Sequence, residues 1–372
     1  MNDDSSIREA MKRLPLRALG EALAGVEAYL VGGVVRELVA GRGPSRDLDV
    51  AVAGEIEPVL DRLGAPARRH ARFETATVTL DGIEVDLART RQETYPAPGA
   101  LPEVSPAGIE EDLARRDFTV NAMAVPLSPP HHLLDPFEGR ADLEAGVLRA
   151  LHDRSFVDDP TRAIRAARYC SRLDLDPDPE TLGLLGATRL GDVSAARHDA
   201  ELARLAAEPS APRGFALIAE WGVMAIPEPV LALIAKVDRR ASAPPWDADP
   251  PLRSRAILIA AEGGESSKAA LSLAGTRPER PSEAVRLASA HQPAELLLAA
   301  AAGCEWIDDY EREWRIVDLE IDGEDLIAAG IPEGPAVGAG LRAALERKID
   351  GGLRGGRDRE LEAALEVARK AI

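Results

Sequence analysis

Cysteines, aromatic residues and lysines are scarce in this 372-residue chain, and the first of these shortages already excludes some classes of protein. The two cysteines, Cys170 and Cys304, lie too far apart in sequence to form a metal-binding or redox-active spacing. No segment has the uncharged apolar length of a transmembrane helix. The N-terminal segment is too charged for a secretory signal. We therefore expect a cytoplasmic protein with no membrane partner.

Aromatic residues make up only 3% of a chain that is 45% hydrophobic. The composition is that of a globular protein, so alanine, leucine and valine must supply most of its interior. The length is sufficient for two or three domains, each with a sizeable core.

The charge balance disfavours one kind of nucleic-acid binding. With 45 basic and 63 acidic residues the net charge is -18, whereas phosphate-binding surfaces are usually basic. Net charge does not describe local patches, however. Nearly all the cations are arginines, which suit bidentate contacts with phosphates and bases. The composition argues against a non-specific nucleic-acid coat and leaves a local RNA or nucleotide site open.

Hydrophobic periodicity divides the chain into two regions. Up to about residue 130, a helical pattern over 7–24 is followed by strand patterns at 29–31, 48–52, 75–80 and 83–88. The last two are joined by Asp81-Gly82, which is typical of a hairpin. From about residue 140, strand patterns give way to helices separated by proline-rich breaks. We predict an α+β head followed by a long helical region.

Two aspartates interrupt an apolar strand in the head. Alternate side chains of a strand lie on one face, so Asp47 and Asp49 are expected to point the same way and to repel each other. Carboxylates at this spacing can bind Mg²⁺, which takes its remaining ligands from phosphates and water. The alternative is that Arg36 and Arg46 merely neutralise a charged strand end.

Neighbouring residues suggest a reaction for such a metal site. Gly32 and Gly33 lie between a strand and a helix, where backbone N–H groups can approach a phosphate closely. Asp86 is the best candidate for a third carboxylate, and Glu84 on the same strand face is its rival. Together these groups favour nucleotidyl transfer, in which metal ions hold a triphosphate and activate a hydroxyl nucleophile.

Several motifs in series resemble one family. They are "GGVVRELVAGRGPSRDLDVAV" near the start, "RRDFTVNAMA" at 115–124, "DPFEGRADLEAGVLRAL" at 135–151, "FVDDPTRAIRAARY" at 156–169 and "VSAARHDAEL" at 193–202. In this order they resemble the class II tRNA nucleotidyltransferase and poly(A) polymerase family. The resemblance covers residues 28–205, with a looser similarity at 322–341.

The resemblance implies an architecture and an activity. The fold would be a polymerase-β-like nucleotidyltransferase head at 1–140, a helical neck at 141–205 that recognises the nucleotide base, and a helical body and tail at 206–372 that bind tRNA. The activity would be Mg²⁺-dependent addition of CMP and AMP, from CTP and ATP, to the 3′ end of tRNA. Asp47 and Asp49 would carry the metals.

The resemblance also implies a nucleotide-binding set. Gly32, Gly33 and Arg36 would help to hold the triphosphate, and Arg115, Arg116 and Asp117 would meet the ribose and phosphates. Asn121 in the same motif joins this set. Arg165 and Arg168 would reach the triphosphate, or would instead pair with Asp174 and Glu180.

A carboxylate and a guanidinium could choose between bases without a nucleic-acid template. Asp159 and Arg162 are three residues apart, so on a helix their side chains share a face. The carboxylate accepts hydrogen bonds and the guanidinium donates them, which matches the exocyclic amine and ring nitrogen of both cytosine and adenine. This agrees with the family's Glu-Asp-x-x-Arg motif, although Asp158 replaces the glutamate here. Helix capping is the alternative role of Asp159, because Pro160 follows it.

The segment 91–111 bears on the choice within the family. It is rich in proline, glycine and glutamate, and we predict a mobile loop of the kind implicated in addition of the terminal A. We therefore disfavour addition of C alone. Complete CCA addition, A-only addition and poly(A) synthesis stay open. A non-catalytic RNA-binding relative is a remote alternative, since a pure binder gains nothing from clustered carboxylates.

Overall fold

A computed structural model describes residues 5–11, 17–42, 47–70 and 74–372. The chain forms two compact units that divide after Ala225. Arg46 and part of the helical pattern predicted over 7–24 lie outside the described residues.

The first unit combines strands and helices, and helices predominate from Gly139 onward. They are α1 (Ser5–Met11), α2 (Arg17–Ala22), α3 (Gly33–Val39), α4 (Glu57–Leu63), α5 (Ile109–Ala114), α6 (Gly139–Ala145), α7 (Ser155–Asp158), α8 (Thr161–Leu173), α9 (Pro179–Gly186), α10 (Ala195–Ala207) and α11 (Ala211–Glu220). Short 3₁₀ turns cover Thr119–Asn121 and Leu190–Asp192.

The strands of the first unit form one large sheet and two small ones. They are β1 (Ala28–Val31), β2 (Asp47–Val52), β3 (Ala67–His70), β4 (Thr75–Leu80), β5 (Ile83–Arg89), β6 (Arg91–Thr94), β7 (Glu103–Pro106), β8 (Ala124–Pro126), β9 (Val147–Leu148) and β10 (Asp176–Pro177). The large sheet has the order β3-β4-β5-β2-β1-β8. Its β2–β5 pair is parallel, and the other pairs are antiparallel.

Both faces of this sheet carry apolar clusters, because its strands alternate in side-chain direction. Leu48, Val50 and Val52 of β2 belong to the larger cluster, beneath α1 to α4. Ala51 belongs to a smaller cluster on the opposite face. Asp47 and Asp49 share the face of Ala51 but remain exposed, so β2 is covered at one end and open at the other. The open end is where a site can form.

The second unit is helical throughout its described length, from residue 226 onward. Its helices are α12 (Glu228–Ala241), α13 (Pro250–Glu262), α14 (Gly264–Leu273), α15 (Pro281–Ala288), α16 (Pro293–Ala301), α17 (Trp306–Asp309), α18 (Gly323–Ala328), α19 (Pro335–Ile349) and α20 (Arg357–Ala368), with a π-helical turn at Tyr310–Trp314. Among the helices of the described chain, none combines the length and apolar character needed to cross a bilayer.

These elements confirm the predicted α+β head and helical continuation, including the hairpin of β4 and β5. The prediction for 91–111 is wrong in its secondary structure. β6 and β7 pair in antiparallel register from Arg91–Pro106 to Thr94–Glu103, and α5 then begins at Ile109. The backbone of this segment is therefore organised as a hairpin with a tip at 95–102.

Candidate active site

Four carboxylates lie on the exposed face of the parallel β2–β5 pair. The register places Asp49 opposite Asp86 and Asp47 opposite Glu84. Thr77 on β4 is the cross-strand partner of Asp86 and donates its hydroxyl to Asp86 Oδ1 at 2.6 Å. The structure therefore brings Asp86 beside Asp49 and Glu84 beside Asp47, and a hydrogen bond fixes the Asp86 carboxylate.

Charge repulsion is visible at Asp49. Although this side chain reaches solvent, surrounding protein atoms raise the pKa of its carboxyl, and Asp86 and Asp47 act in the same direction. Arg116 and Arg36 oppose this effect. A cation placed against these oxygens would relieve the repulsion, and all-oxygen donors are those that Mg²⁺ prefers. The donor set fits that ion.

Within the described residues, no group of three or more His, Cys, Asp or Glu side chains is placed to hold a metal by itself. This agrees with the way Mg²⁺ is usually bound, through one or two carboxylates with water and substrate phosphates completing the shell.

Gly32 occupies the turn between β1 and α3, directly against the carboxylates. Its φ of +69° lies in the left-handed region, which favours glycine. A Cβ here would lie 3.2 Å from Arg116 Nη1 and 3.3 Å from Asp49 Oδ2. Glycine is therefore required both for the turn and for the close approach of these two charged groups. Gly33 follows as the first residue of α3 and lines the same space.

A cavity of about 640 Å³ opens beside Asp49. Its walls come from the β1–α3 turn, the β6–β7 hairpin, the segment after α5, and the helices α8 and α10. The predicted site residues on its walls are Gly32, Gly33, Arg36, Asp49, Arg115, Arg116, Asp117, Asn121, Asp159, Arg162 and Arg165. Charged and polar side chains predominate, as suits a polyanionic ligand.

The two arginines after α5 are held by one buried carboxylate. Asp112 is 1% exposed, and it accepts from Arg115 Nη2 at 2.8 Å and from Arg116 Nη2 at 2.9 Å. Arg115 also donates to Glu93 on β6 at 3.0 Å. Arg116 Nε is buried and has no hydrogen-bond partner among the described residues. Asp112 therefore sets the direction of both guanidinium groups.

Asp117 is buried and fully hydrogen-bonded. Its Oδ1 accepts from Phe118 N at 2.9 Å and from Asn121 Nδ2 at 3.0 Å. Its Oδ2 accepts from Arg165 Nε at 2.9 Å and from Arg165 Nη2 at 2.6 Å. Asn121 Oδ1 in turn accepts from Arg36. Asp117 thus orients Arg165 and, through Asn121, Arg36; direct contact with a ribose would require one of these bonds to open.

Four arginines surround the ring of Tyr169 on α8. The guanidinium carbons of Arg36, Arg165, Arg168 and Arg172 lie 5.5, 5.6, 4.7 and 5.4 Å from the ring centroid. These distances permit cation–π attraction, which partly offsets the mutual repulsion of the cations. Burial lowers the pKa of Arg172, and Arg36 and Arg168 lower it further against the opposing effect of Glu208. The cluster is an electrostatically favourable place for an anion.

The alternatives for Arg165 and Arg168 are resolved in part. Neither pairs with Asp174 or Glu180, so that alternative is excluded. Arg165 pairs with Asp117, and Arg168 donates to Glu208 at 3.3 Å. Arg168 is not among the residues that line the cavity, whereas Arg165 is.

Arg162 is buried on the first turn of α8. Its Nη1 donates to Arg116 O at 3.1 Å and to Ser155 Oγ at 2.9 Å, and its Nη2 donates to Arg115 O at 2.8 Å. These bonds tie α8 to the segment that carries the Arg-Arg-Asp motif. They use three of the five N–H donors of a guanidinium, so donor capacity remains toward the cavity that Arg162 lines.

Asp159 precedes α8 and does not belong to it. Its backbone is extended at φ -134°, and the helix begins at Thr161, so the prediction that Asp159 and Arg162 share a helical face is wrong. Both nevertheless line one cavity. Asp159 Oδ1 accepts from Thr161 N at 3.0 Å and from Thr161 Oγ1 at 2.6 Å, which is a capping role. Its Oδ2 accepts no hydrogen bond from the described residues, so capping leaves one oxygen of the carboxylate available.

Sequence reasoning missed several residues of the cavity wall, namely Glu93, Tyr95, Tyr169, Arg172, Arg197, Glu201 and Arg204. Arg172 could have been found, since it continues the helical spacing of Arg165 and Arg168. Arg197 and Glu201 are one turn apart in a segment that was recognised as a motif. Glu93 and Tyr95 lie on the hairpin that was predicted to be a loop.

Comparison with known proteins identifies relatives of the chain. The sequence pattern of the poly A polymerase head domain matches residues 28–149. A CC-adding tRNA nucleotidyltransferase of Deinococcus radiodurans is 36% identical over 330 residues, which are 85% of this chain and 83% of that protein. An A-adding tRNA nucleotidyltransferase of Halalkalibacterium halodurans is 42% identical over 183 residues, but these are 47% of this chain and 43% of that protein.

Solved structures extend the similarity over the whole chain. An apo CCA-adding enzyme superposes with a TM-score of 0.79 at 25% identity and covers 100% of this chain and 99% of its own. A Thermotoga maritima CCA-adding enzyme complexed with tRNA-CCA gives a TM-score of 0.73 at 25% identity, with coverages of 97% and 98%. The fold is thus a polymerase-β-like head followed by helices.

Proposed function

Because this chain belongs to the class II tRNA nucleotidyltransferase and poly(A) polymerase family, we propose that it adds CMP and AMP to the 3′ end of tRNA. The observation that carries the proposal is that one cavity is lined by Asp49, by both Asp159 and Arg162, and by several further arginines. Such a cavity can take the triphosphate at one end and read the base at the other.

We propose that Asp47 and Asp49 hold Mg²⁺, with Asp86 beside them. The bound metal would orient the triphosphate, activate the attacking hydroxyl and stabilise the pyrophosphate leaving group. The raised pKa of Asp49 and its proximity to Asp86 and Asp47 support this assignment. Thr77 fixes the Asp86 carboxylate through one short hydrogen bond.

The arginines would bind the phosphates of the incoming nucleotide. Arg36, Arg165 and Arg172 approach the same tyrosine ring and line the cavity, and Arg116 stands against Gly32. Carboxylate and amide groups behind them fix their directions before the ligand arrives, which lowers the cost of ordering on binding. Asp117 is assigned to this positioning role, and Arg168 supports the cluster from outside the cavity.

The base would be read by Asp159 and Arg162. A carboxylate oxygen without a protein partner can accept from the exocyclic amine of cytosine or adenine, and a guanidinium with spare donors can reach the ring nitrogen. Uracil and guanine present a carbonyl beside a ring N–H, so donors would face donors and acceptors would face acceptors. The buried mismatch disfavours them.

The relatives support two products. The A-adding relative and the CCA-adding structures favour addition of A, whereas the CC-adding relative matches much more of the chain and makes C-only addition a second candidate. Our expectation against C-only addition rested on a mobile loop at 91–111, and the hairpin at 91–106 weakens that ground. A cytoplasmic location is also proposed, and the two free, buried cysteines are compatible with it.

The decisive experiment uses tRNA transcripts that end before C74, after C74 and after C75, each with one labelled nucleotide and Mg²⁺. Addition of two C residues and one A indicates complete CCA synthesis, and a stop after C75 indicates the C-only enzyme. Asp49→Ala serves as the control, since it should abolish addition while retaining tRNA binding. Absence of any Mg²⁺-dependent addition by the unaltered chain would refute the proposal.

A further inference from the structure

One arginine of the helix α10 connects the hairpin tip with the residue that caps α8. Arg197 Nη2 lies 2.8 Å from Asp159 Oδ1, and Arg197 Nη1 donates to Gly99 O at 2.7 Å. Arg197 itself is about three-quarters buried and lines the cavity. A single guanidinium thus spans two segments that lie 60 residues apart in sequence.

The hairpin tip is held at Gly99 by two hydrogen bonds. Gly99 N donates to Val157 O at 3.2 Å, and Gly99 O accepts from Arg197. Gly99 has a φ of +67°, and a Cβ there would stand 2.4 Å from Asp192 O. A side chain at position 99 would be strained both by the backbone conformation and by this contact. Only glycine therefore fits at this position.

The contact with Arg197 determines which oxygen of the Asp159 carboxylate is left available to a ligand. Asp159 Oδ1 accepts two hydrogen bonds from Thr161 and forms an ion pair with Arg197, while Oδ2 accepts no hydrogen bond from the described residues. A carboxylate held on one oxygen by two donors and a guanidinium cannot exchange its oxygens freely. Its remaining oxygen is therefore presented in one direction.

We propose that Arg197 is a specificity-positioning residue, which locks the Asp159 carboxylate against the hairpin tip so that one oxygen alone meets the base of the incoming nucleotide. This inference rests on the proposed function and deepens it. No role in the chemical step is assigned to Arg197. Loss of the lock would let Asp159 rotate and accept wrongly oriented bases.

The first test is Arg197→Ala, assayed for kcat/KM with each of the four nucleoside triphosphates in turn. We expect the use of UTP and GTP relative to CTP and ATP to rise about tenfold, the factor that one misplaced hydrogen bond carries in discrimination. Arg197→Lys keeps a cation beside Asp159 and should restore most of the selectivity. Arg154→Ala removes the same charge from the exposed Arg154–Asp158 pair and should leave the ratios unchanged.

The second test disrupts the contact between Arg197 and the hairpin tip by changing Gly99 instead of Arg197. Gly99→Ala should unseat the tip and raise misincorporation in the same direction. Gly191→Ala is its matched control, since no atom lies within 4 Å of the Cβ it adds and its φ is not in the left-handed region.

The outcomes separate this inference from the proposed function. If the unaltered chain adds nucleotides but Arg197→Ala and Gly99→Ala slow all four equally, Arg197 is structural only and the inference is overturned. If Arg197→Ala fails to fold, Gly99→Ala decides by the same ratio. If the unaltered chain adds nothing, the proposed function fails first.

Discussion

Replacing Asp117 with asparagine tests whether charge holds the network on the cavity wall. All its partners are donors: Phe118 N, Asn121 Nδ2 and two nitrogens of Arg165. Asparagine keeps the shape of the side chain, but in either orientation its NH₂ group faces a donor. The substitution therefore removes a charge and introduces a repulsive contact without leaving a cavity.

The magnitude follows from the titration of the carboxyl group. Burial alone would raise the pKa of Asp117, but Arg165 and Asn121 outweigh it and lower the pKa from 3.8 to about 2. At about 1.4 kcal/mol per pKa unit, this is roughly 2 kcal/mol of folding stability. An unpaired Arg165 adds to the cost, so we expect Asp117→Asn to lose about 2–4 kcal/mol at pH 7.

The sign of the pH dependence is fixed, because the folded-state pKa is depressed. The contribution of Asp117 is fully present above about pH 4 and disappears as the pH falls to about 2. Urea unfolding at pH 7 and at pH 3, followed by circular dichroism, should show the difference between the two proteins shrinking at the lower pH.

The matched control is Asp174→Asn. Asp174 also pairs with an arginine, Arg213, but its side chain is 86% exposed. Its left-handed backbone conformation is one that asparagine tolerates. A surface pair of this kind contributes at most about 1 kcal/mol. Equal effects of the two substitutions at pH 7, or an Asp117→Asn effect that is the same at both pH values, would refute the reasoning.

Three further predictions concern the ligand. Arg172→Ala should raise the KM for the nucleotide about tenfold with a smaller change in kcat, because it removes a cation from the anion site; Arg213→Ala, outside the cavity, should not. Removing residues 96–102 deletes the hairpin tip and should suppress AMP addition more than CMP addition in labelled-nucleotide assays; equal losses would exclude the tip from specificity. Arg162→Ala should weaken the use of CTP and ATP together and raise the relative use of UTP or GTP about tenfold. Asp159→Asn should also impair selectivity, and an unchanged nucleotide preference in both variants would exclude base reading by these residues.

The carboxylate cluster could be predicted because it follows from a local rule. Strand alternation places Asp47 and Asp49 on one face whatever the rest of the chain does. That Asp86 lies opposite Asp49 and Glu84 opposite Asp47 could be seen only from the register of β2 and β5, which depends on pairing between segments that are distant in sequence.

The hairpin at 91–106 could not be predicted from hydrophobic pattern. The residues of β6 and β7 are half-buried or exposed, so neither strand has a buried apolar face. Their order comes from mutual backbone pairing and from the ion pairs of Glu93 with Arg91 and Arg115. Proline and glycine led us to predict a loop over the whole segment, because the polar strands carried no strand signal.

An acidic chain can contain an anion site because carboxylates orient the arginines of that site. Asp112 lies behind Arg115 and Arg116, Asp117 behind Arg165, and Glu208 behind Arg168 and Arg172, so a carboxylate orients each of these guanidinium groups. A guanidinium has five donors, and one carboxylate occupies only part of them. The remaining edges are free to turn toward a ligand. A net charge of -18 is therefore compatible with polyphosphate binding, because some of the acidic residues fix the few cations that matter. Only the three-dimensional pairing, between residues up to 48 positions apart, reveals this use of them.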